Sequence, residues 1–184
     1  IGRLLAILED QGVLDETAII LSADHGEQQG ELNVYGDHHC ADLATCRIPM
    51  IVRWPGVSQS GQHDGLLYGL DLAPTICELV GVEPPDRWDG VSFANGVRGQ
   101  TWNGRESLVI GQGAWTCQRS VIHGDHIMIR TYHDGFKPLP AVMLFDRVND
   151  PHETTDLAES QPEVVDRLSR IQLCLLYTSD AADE

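Results

Sequence analysis

The feature that most constrains this fold is a short apolar run, Ala18 to Leu21, which is followed at once by a polar segment, Ser22 to Asp42. A continuous apolar run of this length is typical of a strand buried on both faces, as in parallel sheets covered by helices. A second run, Ile48 to Val52, ends at a Pro-Gly turn and predicts another buried strand. Helical spacing before the first run and over Asp71 to Val80 predicts flanking helices. We therefore predict an α/β fold with a mainly parallel sheet.

A different pattern begins near Ser107. Short apolar runs separated by glycine turns predict a small antiparallel sheet, and Pro162 to Ile171 predicts a terminal helix. The predicted strands are Leu108–Ile110, Arg119–Ile122, Ile127–Arg130 and Met143–Asp146. We accordingly divide the chain into an α/β part, residues 1–105, and an antiparallel subdomain, residues 106–172. Residues 173–184 break the preceding helical pattern, and we expect them to be a tail that is not native to the protein.

Charge and hydropathy exclude two classes of partner. The chain has 28 acidic and 12 basic side chains and a formal net charge of −16. Binding to nucleic acid needs a basic face, so we expect no nucleic-acid partner. We also expect no membrane association, because no apolar run approaches the roughly 18 residues of a membrane helix. The five cysteines include no C-x-x-C pair, which favours a reducing compartment such as the cytoplasm.

The polar segment after the first predicted strand holds the residues with the most chemistry. Its carboxylates and imidazoles are Asp24, His25, Glu27, Glu31, Asp37, His38 and His39. Open α/β sheets bind ligands at the carboxyl ends of their strands, and carboxylates near imidazoles suit a metal or a general acid–base site. Gly26 permits the bend by which the adjacent Asp24 and His25 could reach one ion. From the residues alone, a metal site, an acid–base site and a solvated acidic loop all stay open.

Four motifs, I-I-L-S-A-D-H-G-E (19–27), R-I-P-M-I-V-R-W-P-G (47–56), L-D-L-A-P-T-I-C-E-L-V-G-V (70–82) and L-F-D-R-V-N-D-P-H-E (144–153), occur in this order. Together they resemble the later part of a sulfatase of the formylglycine-dependent, arylsulfatase type. Sulfatases belong to the alkaline-phosphatase-like superfamily, and the likeness extends from Ile1 to about Ile171. It implies the later half of an alkaline-phosphatase-like sheet and an enzyme that hydrolyses sulfate esters or N-sulfates on a small molecule or a carbohydrate.

The resemblance also implies a metal site. Sulfatases bind Ca²⁺ partly through an aspartate followed by asparagine or histidine after a late strand, and Asp24 and His25 match that pair. Carboxylate oxygen is a natural calcium ligand, whereas imidazole is a less usual one because calcium prefers hard oxygen. A histidine in the second position could instead contact substrate or another ligand.

The family usually carries a lysine that contacts sulfate about nine residues before the arginine of its R-x-P strand. Arg47 matches that arginine, and counting back nine residues gives His38, while the surrounding segment contains no lysine. The resemblance therefore implies that His38 or His39 takes the catalytic sulfate-contact role or that the role is lost. A protonated imidazole could stabilise the charge on sulfate or protonate the leaving oxygen.

The nucleophile motif of the family, cysteine or serine followed by any residue, proline, any residue and arginine, does not occur in this sequence. We expect it, with the early aspartate pair, to lie upstream of Ile1 in a longer protein, and we expect this chain alone to be inactive. Two alternatives stay open. One is a zinc-dependent phosphohydrolase of the same superfamily that uses Asp24, His25 and His38, since imidazole suits zinc. The other is a non-catalytic binding relative.

Overall fold

A computed structural model describes residues 1–135 and 137–180. Within these residues the helices are α1 (Gly2–Asp10), α2 (Leu43–Cys46), α3 (Leu72–Leu79), α4 (Ala94–Val97) and α5 (Pro162–Asp180). The strands are β1 (Ile19–Ser22), β2 (Gln28–Gln29), β3 (Tyr35–Asp37), β4 (Met50–Arg53), β5 (Ser107–Gln112), β6 (Cys117–His123), β7 (His126–His133) and β8 (Val142–Asp146). Among the helices of this described part, none combines the length and the apolar character that crossing a membrane requires.

The chain forms two compact units that are not continuous in sequence. The first unit contains residues 1–23 and 49–105, and the second contains residues 24–48 together with the chain from Glu106 onward. From Asp24 onward, the polar segment predicted to carry the site therefore folds with the antiparallel C-terminal part of the chain. The division predicted from sequence had placed this segment in the α/β part, residues 1–105.

In the first unit, β1 and β4 pair with each other. They are antiparallel, with Ile19 opposite Arg53 and Ser22 opposite Met50, so the mainly parallel arrangement predicted for the sheet is wrong for this pair. The predicted full burial is also wrong, because Ile51 is 60% exposed. An apolar run indicates that a strand has apolar faces; it carries no information on strand direction, which depends on how the connection returns the chain.

A buried ion pair holds the second half of this unit together. The Asp71 carboxylate is 1% exposed and accepts hydrogen bonds from Arg105 Nη2 at 2.5 Å and Nε at 3.0 Å. The amides of Tyr68 and Val91 donate to the same carboxylate at 2.8 and 2.7 Å. Burial by itself would raise the pKa of Asp71, but these donors outweigh it and lower the pKa. Asp71 thereby ties the start of α3 to two distant loops.

We expect Asp71→Asn to lower the free energy of unfolding by about 3 kcal/mol, because it leaves the Arg105 guanidinium without its charged partner. Urea denaturation followed by circular dichroism measures this change. The matched control is Asp86→Asn at an exposed position, which we expect to change stability by less than about 0.5 kcal/mol. Equal effects of the two variants would contradict a stabilising role for the pair.

The second unit is built on a four-stranded sheet in the order β5-β6-β7-β8, with every neighbouring pair antiparallel. Helix α5 packs on one face of this sheet. The buried side chains at this contact are Val121, Met128, Leu144, Val164 and Leu168. The predicted α/β class, small antiparallel sheet and terminal helix are confirmed. Helix α5 continues to Asp180, beyond the predicted end at Ile171, while residues 181–184 of the predicted tail lie outside the described residues.

Candidate functional site

The candidate site lies in the segment from Asp24 to Asp42, which forms a short hairpin and ends at α2. Strands β2 and β3 pair with Gln28 opposite Asp37. Glu27 lies just before β2 and His38 lies just after β3, so the register brings them together. The backbone before the hairpin is fixed at Gly26, whose amide donates to the Thr45 carbonyl at 2.7 Å. A Cβ atom at this position would lie 1.9 Å from the Ala44 carbonyl oxygen, so the close approach requires glycine.

Three side chains of this segment form a cluster. His25, Glu27 and His38 each offer one ligand atom, and these atoms all lie within 4.8 Å of one another. Glu27 Oε2 lies 3.5 Å from His38 Nδ1, and the rings of His25 and His38 stack with centroids 3.8 Å apart. The sequence left open whether Glu27 belongs to a metal site, an acid–base site or a solvated loop. The strand register, which sequence did not reveal, brings it to His38.

Asp24 lies beside this cluster and outside it. Its side chain is 88% exposed, and its Oδ2 is 3.7 Å from His25 Nε2. Its Oδ1 accepts a hydrogen bond from the His25 amide at 3.0 Å, and this bond is the main cause of the lowered pKa of Asp24. The carboxylate is therefore ionised and accessible, as a metal ligand must be.

The structure separates the two histidines that sequence treated alike. The His38 side chain is 36% exposed and reaches the cluster, whereas that of His39 is 3% exposed. Asp37 lies between them, with Oδ1 3.8 Å from His38 Nδ1 and Oδ2 3.8 Å from His39 Nδ1. Of the two, His38 has the accessibility that contact with a substrate requires.

Side chains from β5 and β6 and the turn between them hold this part of the segment in place. Gln112 Nε2 donates to the His38 carbonyl at 2.6 Å, and the Thr116 hydroxyl donates to the His39 carbonyl. Gln118 Oε1 accepts from the Ala41 amide at 2.9 Å. These three positions could not be predicted from sequence, because a single polar residue in or beside a strand gives no periodic or motif signal.

A buried acidic network lies at the base of the hairpin. Asp42 is fully buried and accepts from Gln28 Nε2 at 2.9 Å and from the Thr45 amide at 3.2 Å. Glu153 is 4% exposed and accepts from the Leu43 amide at 3.0 Å. Burial raises the pKa of Asp42, and burial together with the Asp42 charge raises the pKa of Glu153 to about 8. The sequence places Glu153 only at the end of the 144–153 motif and does not predict its burial.

Two cysteines belong to the same buried region. Burial, with the charge of Asp42 as the second cause, raises the pKa of Cys40 to about 11 and that of Cys46 to about 12. Thiols with such pKa values stay protonated near neutral pH, and the thiol form is a poor nucleophile. Neither residue is therefore a candidate nucleophile.

Backbone strain in this unit is concentrated around one cavity of about 370 Å³. Leu32, Asn33 and Glu153 all line it, and all three have positive φ angles, of 50°, 57° and 53°. Such conformations persist where surrounding contacts hold them. Here the Lys137 ammonium donates to the Leu32 carbonyl.

We expect the stability of the protein to fall as the pH rises from about 4.5 to about 8, because Glu153 binds its proton more tightly when folded than when unfolded. The folded pKa of about 8 lies above the ordinary value of 4.5, so this contribution is complete below pH 4.5 and is lost as the pH rises through 8. The slope from this one group is about 1.4 kcal/mol per pH unit. Glu153→Gln imitates the protonated side chain and should remove this slope.

Urea titrations at several pH values compare the wild type with Glu153→Gln. Glu159→Gln, at an exposed position before α5, is the matched control and should keep the pH dependence of the wild type. A Glu153→Gln profile parallel to that of the wild type would show that Glu153 titrates normally in the folded protein.

Comparison with known proteins agrees with the motifs and the fold. The family model described as "Sulfatase" matches residues 1–82. Arylsulfatase K of Bos taurus is 26% identical over 182 residues, which cover 92% of this chain and 33% of that protein. The chain thus spans about a third of the length of the curated relatives it matches.

Solved structures with the same fold include the following two. One is a protein in complex with its substrate, D-glucosamine-2-N,6-O-disulfate. Its TM-score is 0.79 and it is 22% identical to this chain, and the match covers 99% of this chain and 38% of that one. The other, a phosphonate monoester hydrolase from Silicibacter pomeroyi, has a TM-score of 0.73 and 24% identity, covering 96% and 37%.

The chain shares its fold with these solved structures. Residues 1–82 match the sulfatase family model and the chain is similar to arylsulfatases, so the resemblance drawn from its motifs is confirmed.

Proposed function

We propose that the protein containing this chain hydrolyses sulfate esters of a small molecule or a carbohydrate with the help of a bound divalent metal ion. The observation that carries the proposal is the position of His25 beside both Asp24 and His38 within one short segment of a sulfatase-like chain. The chain contains no formylglycine motif, so the nucleophile is not among these residues. Their roles are to bind the metal ion and to contact the sulfate group.

Asp24 and His25 fit a calcium ion in part. The Asp24 carboxylate is ionised and exposed, and its Oδ2 lies within 3.7 Å of His25 Nε2, so one ion could contact both. The two residues would supply two of the six to eight ligands that Ca²⁺ takes. A bound divalent ion would polarise the sulfate oxygens and stabilise the charge that develops on them.

His38 is our proposed sulfate contact. Its ring is partly exposed, and its Nδ1 lies 3.5 Å from Glu27 Oε2 and 3.8 Å from Asp37 Oδ1. Either carboxylate can pair with the ring when it is protonated, and a protonated imidazole can stabilise sulfate charge or protonate the leaving oxygen. The hydrogen bond from Gln112 to the His38 carbonyl holds the backbone in position for either role.

One observation favours phosphoryl chemistry as the second candidate. Two imidazoles lie side by side in this site, and imidazole suits zinc better than calcium. A zinc-dependent phosphohydrolase would use Asp24, His25 and His38 as ligands. We rank it second because the family model and the arylsulfatase K matches are to sulfatases.

Hydrolysis of p-nitrophenyl sulfate and p-nitrophenyl phosphate by the full-length gene product tests the proposal. We expect the sulfate ester to be the better substrate. We also expect His38→Gln and Asp24→Ala each to lower kcat/KM by about 100-fold or more, because the first removes a positioned acid and the second removes a metal contact. The controls are His126→Gln on β7 and Asp10→Ala at the end of α1, which should keep the activity of the wild type.

A preference for the phosphate ester, with zinc in the active preparation, would support the phosphohydrolase. Failure to hydrolyse either ester, in a protein that binds sulfated sugars, would support a non-catalytic binding relative. Wild-type activity of the Asp24→Ala and His38→Gln variants would contradict the assignment of both residues.

A further inference from the structure

We propose that His25, Glu27 and His38 form a binding site for a zinc-class divalent cation, and that this site shares the His25 imidazole with the Asp24–His25 pair. We call these three residues the imidazole–carboxylate cluster. Their ligand atoms lie within 4.8 Å of one another. The side chains of His25 and Glu27 are 40% and 43% exposed, so an ion from solution can reach these two. Zinc binding by the cluster and its test do not depend on the proposed function, whereas the sharing of His25 rests on the metal ion proposed there for Asp24 and His25.

The His25 ring is oriented for coordination through Nε2. Its Nδ1 lies 2.9 Å from the Gly26 carbonyl oxygen, which can only accept a hydrogen bond, so Nδ1 carries the proton. The lone pair is then on Nε2. Metal-binding histidines commonly donate their other ring N–H to a backbone carbonyl in this way, which fixes the tautomer before the ion arrives.

His38 and Glu27 complete the cluster through the hairpin register. His38 Nδ1 is inaccessible to solvent, lacks a hydrogen-bond partner among the described residues and lies 3.5 Å from Glu27 Oε2. The Asp37 carboxylate accepts from the His38 amide at 2.7 Å, and Gln112 holds the His38 carbonyl. The backbone amide and carbonyl of His38 are thus held by hydrogen bonds, while its Nδ1 has no hydrogen-bond partner among the described residues.

The donor set selects the ion. Two imidazole nitrogens and one carboxylate oxygen suit Zn²⁺ and its first-row neighbours, whereas Ca²⁺ prefers an all-oxygen shell. Three protein ligands leave a fourth position of a tetrahedral shell open to water.

Sharing His25 couples the two metal sites. A single ring nitrogen ligates one ion at a time, so a zinc-class ion in the cluster withdraws His25 Nε2 from an ion held by Asp24. The two modes of binding are therefore mutually exclusive, and the ion present in solution decides between them.

Isothermal titration of the metal-free 184-residue chain with ZnCl₂ tests the inference. We expect one zinc ion per chain at the cluster. We expect His38→Ala and Glu27→Gln each to weaken zinc binding by at least about tenfold, because loss of a residue that only supports a ligand already lowers metal affinity by about this factor. The control His126→Ala should leave the affinity unchanged, and Asp24→Asn should reduce it by less than either ligand variant. Circular dichroism of each variant verifies that it is folded.

Cobalt supplies a second, spectroscopic readout that does not depend on affinity. Co²⁺ in the wild type should give the visible absorption of a low-coordinate nitrogen–oxygen site without a thiolate charge-transfer band, and His38→Gln should lose it. Zinc binding that survives both His38→Ala and Glu27→Gln would overturn the proposal. A thiolate band, which would assign the ion to cysteines, or no zinc binding by the folded wild type would overturn it equally.

Discussion

The candidate site depends on a buried polar network at the base of the hairpin. Segment 24–42 contributes few large apolar side chains, so burial of apolar surface alone cannot hold it. Its fixed points are the Gln28–Asp42 hydrogen bond at 2.9 Å and the bond from the Leu43 amide to Glu153 at 3.0 Å. Glu153 lies 110 residues away along the chain from Leu43, and this contact joins the segment to the antiparallel sheet unit.

This arrangement separates the rigid part of the site from its reactive part. The groups that hold the backbone, Asp42 and Glu153, are buried, whereas the side chains of His25, Glu27 and His38 are accessible. Elevated pKa values at the two buried acids are the electrostatic consequence, because burial disfavours the charged form of each and the Asp42 charge further raises the pKa of Glu153. The accessible groups can then bind an ion without disturbing the fold beneath them.

The site also combines ligands of different character. Asp24 offers hard oxygen, and the stacked imidazoles of His25 and His38 offer nitrogen. His25 lies beside both Asp24 and His38. Calcium and zinc would therefore use different subsets of the same residues. The stacking of His25 on His38 is the contact that makes the second subset available, and it exists because the β2–β3 hairpin returns the chain to its starting point.

The sequence by itself determined the α/β class, the antiparallel sheet with its terminal helix, the likeness to sulfatases and the segment in which the site would lie. Each of these follows from a local pattern: apolar periodicity, glycine turns, or a motif such as Asp24-His25-Gly26. Only the tertiary structure decided that β1 and β4 are antiparallel, that Glu27 meets His38 while His39 is buried, and that Glu153 supports the site. Strand direction, hairpin register and contacts across 110 residues depend on where the whole chain returns, which no local pattern encodes.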